Sequence, residues 1–366
     1  MKGYIPMNTA PPASTLVSIL VPAYDAERHL EATLSSVLEQ MGPRHALIVI
    51  DDGSRDGTAE VVERMARAWP ALSVTLIRQA NQGLAVTRNR LLEAATGDYI
   101  LFLDADDLLL PGTLAALEDV IARHRPDAIA CDFNDWHPQN MRRTRRVERG
   151  YPADVLLTDR EAILRTFFMD RQCYAWANVL RREIYARQPA PLYPPGRTFE
   201  DITTTPQLIA DCASLVRLAR PCFDYRQHPG SMKRGLSHKW CTDFAQAVLH
   251  IHRHFGNLPI SDALRLHIDA ATIHFYNVIL KRTYEMPWRE GRAARADVED
   301  LLRQNLFHDL GQVLDAMQGE VLDSHDRRAD RRAATQVRKL LDGNLAFVIG
   351  KLAARKIKVW QRRAAA

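Results

Sequence analysis

Three carboxylates close the segment Tyr99-Ile-Leu-Phe-Leu-Asp-Ala-Asp-Asp107, namely Asp104, Asp106 and Asp107. The apolar run ahead of them has the unbroken character of a strand buried on both faces of a parallel sheet. Ligands of open α/β sheets bind just beyond the carboxyl ends of such strands. Asp104 and Asp106 stand two residues apart, so in an extended segment they point the same way. Two convergent carboxylates there suit a hard cation, Mg²⁺ or Mn²⁺, shared with the phosphates of a substrate. A solvated acidic turn capping the next helix fits the same residues, and so short a motif does not decide between the two.

Other strands must place these groups. Val17-Ser-Ile-Leu-Val-Pro22, Ala46-Leu-Ile-Val-Ile50, Val74-Thr-Leu-Ile77 and Ala128-Ile-Ala-Cys131 are short apolar runs. The first is stopped by a proline that cannot continue a central strand. Between them lie helical patterns. Leu30, Leu34, Val37, Leu38 and Met41 share one face, and Leu114, Leu117 and Ile121 another. Thr58 is expected as the N-cap of a helix through Val61, Val62, Met65 and Ala66. A further helix runs through Leu84, Arg88, Leu91, Leu92 and Ala95 and ends at Gly97. This βαβα alternation argues a mostly parallel sheet flanked by helices. It delivers Ala23-Tyr24-Asp25, Asp51-Asp52 and Asp104-Ala-Asp106 to one edge. Neither a GxGxxG turn nor a GxxxxGK[ST] loop is present. A nucleotide diphosphate would therefore be held by metal and side chains, not by a glycine cradle.

With these motifs on the page, the chain resembles the family 2 glycosyltransferases. The resemblance rests on Val17 to Asp25 with Glu27 to Gln40, Ile50-Asp-Asp-Gly-Ser-Arg-Asp-Gly-Thr58, Asn81-Gln-Gly-Leu-Ala-Val-Thr-Arg-Asn89 and Thr96 to Asp107. It continues through Tyr174 to Glu183, Phe199-Glu-Asp-Ile202 and Tyr225-Arg-Gln-His-Pro-Gly-Ser231, covering residues 16–235. The sequence departs from the family's habit at Asp25, at Thr87, and at Trp176-Ala-Asn-Val179, where Trp176 stands one residue out of step.

The resemblance implies a GT-A fold, a nucleoside diphosphate sugar donor, a divalent cation and inversion at the anomeric carbon. It implies that Asp106, with Asp104, holds Mn²⁺ or Mg²⁺, which would neutralise charge on the departing diphosphate. Asp104 has a second reading, a bond to the ribose or the sugar. Pro22, Ala23, Tyr24, Asp51 or Asp52, and Ala105 are implied to line the donor pocket, with Arg88 facing the nucleotide. The base is left open, a uridine diphosphate sugar being favoured. Asp201 is implied as the general base for the acceptor hydroxyl, and Glu200 as a supporting or acceptor-binding carboxylate. The residues alone would also read as acidic charges at a helix start, the helix running from Thr203 to Ala213. Arg226 and His228 sit on a basic Pro-Gly turn with Lys233 and Arg234, which would close over a diphosphate or remain an exposed cationic turn. His228 is a second metal-ligand candidate. Trp176 either stacks on an acceptor sugar or belongs to the core.

Composition bounds the rest. The 366 residues leave room for one large domain and an appendage. The expected division is a loose tail at 1–15, a catalytic domain at 16–235 and a helical region at 236–366. Five scattered cysteines without a CxxC pair argue against a disulfide framework or zinc site. No signal-peptide-like or membrane-spanning apolar run of about 18 residues is seen, so a cytoplasmic protein is expected. Residues 331–366 hold ten Lys or Arg and one acidic residue, leaving 39 basic against 43 acidic residues elsewhere. Leu345, Val348, Ile349, Leu352 and Val359 share a helical face with Lys351, Arg355, Lys356 and Lys358 nearby. That pattern fits a helix on the anionic inner face of a membrane, or one docked on its own protein. Nucleic-acid binding is disfavoured, since no such motif accompanies the charge. His250, His252 and His254 read as packed or solvated histidines, because only the first and third share a face. Arg142, Arg143, Arg145, Arg146 and Arg149 read as a loop that binds an anionic acceptor or is solvated.

The expected function is a metal-dependent inverting transfer of a sugar to a hydroxyl of a glycan or lipid-linked acceptor, in surface polysaccharide synthesis. The alternatives are a non-catalytic sugar-nucleotide-binding module and a phosphoacceptor signalling domain. The latter expects about 120 residues and leaves the 199–231 motifs unexplained.

Overall fold

The computed structural model describes residues 4–6, 15–227 and 236–344, with positions 346, 347, 350 and 353 beyond them. The chain divides into two units. One comprises Met1–Ile163 and Gln172–Ser231, the other Leu164–Arg171 and Met232–Ala366.

In the first unit the apolar runs become strands and the amphipathic runs the helices between them. β1 (Tyr4–Pro6), β2 (Val17–Ala23), α1 (Glu27–Leu38), β3 (His45–Asp51), α2 (Thr58–Ala68), β4 (Ser73–Arg78), α3 (Leu84–Ala94) and β5 (Tyr99–Phe102) follow in order. Every residue of β2, β3 and β5 is buried, as strands covered on both faces must be. Then come β6 (Leu108–Leu109), α4 (Thr113–His124), β7 (Ala128–Trp136), β8 (Arg145–Val147), β9 (Leu156–Leu157), α5 (Arg160–Asp170), β10 (Asn178–Arg181), α6 (Arg182–Ala186), α7 (Glu200–Ala210) and β11 (Leu215–Arg226).

The sheet order is β1-β4-β3-β2-β5-β10-β7-β11-β6, with β8 on β7 and β9 on β11. β4, β3, β2 and β5 run parallel. β10 enters antiparallel between β5 and β7, and β7 pairs parallel with β11. The sheet is therefore mixed at its second half, with helices flanking it: the mixed α/β fold of GT-A type. The parallel half places the ends of β2, β3 and β5 side by side, since Ala23 pairs with Asp51 and Leu20 with Phe102.

Two local expectations are corrected. Gly57, not Thr58, is the N-cap of α2. Asp56 Oδ1 accepts from Thr58 N at 3.1 Å, which frees Thr58 Oγ1 to accept from Ala26 N at 2.8 Å. Helix α7 begins at Glu200 rather than Thr203, so both carboxylates lie in its first turn.

The second unit is helical: α8 (His238–Gly256), α9 (Asp262–Thr283), α10 (Trp288–Asn305), α11 (Leu310–Gln318) and α12 (Arg327–Leu341). All of these helices but α10 start on side-chain caps. Ser237 Oγ accepts from Trp240 N, Ser261 Oγ from Leu264 N and Asp326 Oδ1 from Ala329 N. Leu164–Arg171, expected within 16–235, groups with this unit. Of His250, His252 and His254 in α8, His252 is buried and bonds Asp269 at 3.0 Å. No described helix is long and apolar enough to cross a membrane. Most of the expected membrane-surface segment lies outside the described residues.

Candidate active site

Asp52, just past β3, ties down the loop that follows β4. Its Oδ1 accepts from Gln79 Nε2 at 2.7 Å and Gln82 N at 2.8 Å, and its Oδ2 accepts from Gly83 N at 2.8 Å. Gly53 makes the turn at φ +74°, and a Cβ there would stand 2.7 Å from Asn81 N. Asp51, at the end of β3, is buried, and its Oδ1 accepts from Ser54 N at 3.0 Å. Of this edge's expected donor residues, Ala23 is 2% exposed and Tyr24 43% exposed, so Tyr24 alone presents a broad open surface. Pro22 is buried within β2.

The aspartate loop beyond β5 is pinned from two sides. Thr33 Oγ1, buried in α1, donates to the Ala105 carbonyl at 3.0 Å. From β11, Arg226 N donates to Asp107 Oδ1 at 2.7 Å, and Arg226 Nε donates to the Asp106 carbonyl at 2.6 Å. The Arg226 guanidinium lies 4.3 Å from the Trp136 ring centre. Asp107 is thus inside the fold and 1% exposed. Burial, then the charges of Asp104 and Asp106, push its carboxyl well above the ordinary value.

Asp104 stays partly open and faces Arg88. The guanidinium lies 3.2 Å from Asp104 Oδ1 and 2.6 Å from Glu200 Oε1. Arg88 is 3% exposed, its charge flanked by the rings of Phe102 and Tyr193, each 5.8 Å away. Burial works against that charge, but Glu200 and Asp104 outweigh it and hold Arg88 protonated more firmly than usual. Arg88, expected to face the nucleotide, bridges two protein carboxylates. Burial also raises the Asp104 carboxyl, with Asp106 adding to the effect and Arg88 opposing it.

Phe199, at φ +65°, turns the chain into α7 and delivers Glu200 and Asp201 together. Glu200 is buried and taken by Arg88. Asp201 accepts from Ile202 N at 2.8 Å. Burial, then the neighbouring Glu200 charge, push its carboxyl up to about 7. A carboxylate poised there can take a proton near neutrality.

Trp176 is corrected. It is 3% exposed and stacks on Tyr174 at 4.9 Å, with Phe133 edge-on at 4.8 Å and Tyr225 at 5.1 Å. Its ring is walled in by aromatic neighbours, so it packs rather than offering a platform to a sugar. The arginine cluster is also divided by the fold: Arg149 is 1% exposed and bonds the Ala177 carbonyl and Asn178 at 3.3 Å, while Arg142 and Arg143 are exposed. His228 and its basic turn lie outside the described residues. Thr33, Tyr193 and Trp136 were not singled out in the sequence.

Two hard carboxylates, Asp104 and Asp106, fit a divalent cation. The second oxygen of Asp104 makes no hydrogen bond to a described residue. Among the described residues no group of three or more His, Cys, Asp or Glu side chains is arranged to hold a metal.

A mixed sheet whose parallel half ends in an acidic loop, with a second acidic pair at the start of a helix, defines a GT-A-type unit. Residues 18–185, somewhat less than half of the chain, match the model of glycosyl transferase family 2. The glycosyltransferase YibD of Escherichia coli K12 is 27% identical over 224 residues, covering 60% of this chain and 63% of that protein. EpsJ of Bacillus subtilis 168, also a glycosyltransferase, is 29% identical over 220 residues, 59% of this chain and 62% of its own. The chain thus spans somewhat less than two thirds of these relatives. The structure of S. aureus TarS 1–349 with UDP-GlcNAc has the same fold, with a TM-score of 0.61 at 19% identity, over 90% of this chain and 92% of that one.

Proposed function

We propose that the protein transfers a sugar, with inversion, from a nucleoside diphosphate sugar to a hydroxyl of a glycan or lipid-linked acceptor in surface polysaccharide synthesis. The observation that carries this reading is the first turn of α7, which sets Asp201 next to Glu200 and the Arg88 bridge to Asp104; burial there pushes the Asp201 carboxyl up to about 7. Asp201 takes the acceptor proton, so the hydroxyl attacks the face opposite the leaving diphosphate. Glu200, paired with Arg88, supports Asp201 and adds negative charge beside it. Ala23, Tyr24 and Asp51 or Asp52 line the nucleoside pocket. A uridine diphosphate sugar is the favoured donor, in keeping with the UDP-GlcNAc held by TarS.

Asp104 and Asp106 would hold Mn²⁺ or Mg²⁺, which when bound neutralises charge on the departing diphosphate. Attachment to an anionic membrane through residues 340–366 belongs to the same reading, and sedimentation with anionic against neutral vesicles at low salt tests it. The transfer itself is tested by donor hydrolysis over a panel of sugar nucleotides, with and without Mn²⁺. Hydrolysis of one donor above the no-enzyme rate is expected. A chain that binds a sugar nucleotide but never cleaves it, with any acceptor, would instead be a binding module.

A further inference from the structure

The basic cluster after β7 has a definite place in the fold. β7 and β8 form a hairpin in which Asp135 pairs with Arg145 and Asn134 with Arg146. Its turn carries Met141, Arg142 and Arg143. Most of the local charge is neutralised. Arg146 reaches Asp132 at 2.9 Å and Glu148 at 3.3 Å, and Arg145 reaches Asp135 at 3.3 Å. His137 lies 3.8 Å from the same Asp135. Arg142 and Arg143 are exposed and make no ion pair with a described residue. Two cations therefore stand uncompensated at the tip.

The hairpin joins the active site on two sides. Trp136, at the end of β7, carries Arg226, which holds the Asp104–Asp107 loop, and the Trp136 carbonyl accepts from Gln227 N at 2.8 Å. On the other side, Phe133 of β7 meets the Tyr174 ring edge-on at 6.1 Å, and burial, then the charges of Asp201 and Asp135, push the Tyr174 hydroxyl up. The hairpin thus borders the Asp201 side of the site. Asp104, Asp106, Asp107 and Asp201 make that region acidic, which repels any anion approaching Asp201. A pair of uncompensated guanidinium groups on the rim offsets this, and their planar forks suit phosphate and carboxylate oxygens.

Resting on the transfer reading, we propose that the acceptor is an anionic glycan bearing phosphate or carboxylate groups, and that Arg142 and Arg143 hold it with its hydroxyl toward Asp201.

The test uses the full chain and three labelled oligomers of similar length: inorganic polyphosphate, oligogalacturonate and neutral dextran. Binding is followed by fluorescence anisotropy at low salt and at high salt, and UDP affinity is measured separately by calorimetry. At least one polyanion should bind, dextran should not, and salt should weaken the complex. R142E/R143E should weaken polyanion binding about tenfold or more with UDP affinity retained, whereas K356E/K358E in the basic tail should leave it unchanged. The polyanion that binds tells phosphate from carboxylate. Loss in the tail variant with retention in R142E/R143E would overturn the proposal. So would equal binding of dextran, or a hairpin that captures anionic vesicles but no oligomer. Failure of the wild type to hydrolyse any sugar nucleotide, with the Arg142/Arg143-dependent binding intact, would sink the transfer reading and leave the anion site standing.

Discussion

Arg88 and Glu200, 112 residues apart in sequence, meet at 2.6 Å beneath the candidate active site. The same guanidinium reaches Asp104 at 3.2 Å. One buried cation thus ties the loop expected to carry a metal to the helix that presents Asp201. Removing it would strand buried negative charge at both ends.

Arg88→Ala is therefore expected to destabilise the fold by about 3–5 kcal/mol, the cost of leaving a buried charge unpaired. Arg88→Ala combined with Glu200→Gln should recover part of that loss, because the stranded charge is gone. Urea denaturation of the two variants checks it. Equal stability of the single and double variants would mean that Glu200 is solvated without its partner.

Asp201→Asn should leave donor binding nearly intact and lower turnover by about 10²–10⁴-fold. In the wild type the rate should rise with pH through about 7 and then level, as the carboxylate form accumulates. In the variant this limb should vanish. Calorimetry of donor binding beside a pH–rate profile separates the roles, since equal losses in binding and turnover would make Asp201 a nucleotide ligand.

The raised Asp201 carboxyl also predicts a stability trend of defined sign. Its folded value lies above the unfolded one, so the native state binds the proton more tightly. Its stabilising contribution is full below the unfolded value near 4 and is lost as pH rises toward about 7. Asp201→Asn should thus raise the melting temperature at pH 8 more than at pH 4, read by thermal denaturation at both.

Asp106→Ala should abolish transfer and weaken UDP binding in the presence of Mn²⁺. The wild type should lose activity in EDTA and regain it with Mn²⁺ or Mg²⁺. Full activity in EDTA would remove the metal from the mechanism.

Trp176→Ala should cost about 3–5 kcal/mol of stability, as large-to-small changes in a packed core do. Donor KM should move little in whatever fraction folds. A variant of unchanged stability with weakened acceptor binding would return Trp176 to the acceptor site.

The α/β half of the fold was legible because buried parallel strands leave unbroken apolar runs, and those through Ile50, Ile77 and Leu103 each end at a charged residue. Asp104 and Asp106 could be named for that reason. Asp201 could not be separated from an ordinary helix-start charge by composition, and only the resemblance singled it out. The Arg88 bridge was hidden because its partner lies far along the chain, and a helical arginine among polar neighbours reads as solvated. Trp176 misled for a related reason. Its ring is buried by its near neighbour Tyr174 and by Phe133 and Tyr225, and the last two come from distant segments that no local pattern links. Thr58 was misjudged by one residue because Asp56, two positions earlier, satisfies the helix start.

Asp52 carries a lesson about substitution that size alone would conceal. Its two oxygens face three N–H donors of the 79–83 segment. Asparagine has nearly the same shape, yet it would turn an NH₂ group toward at least one of those donors. The position therefore discriminates by lone pairs rather than by volume. A scan of near-isosteric replacements would find this exchange harmful, while larger changes on the open face of Tyr24 pass unnoticed by the fold.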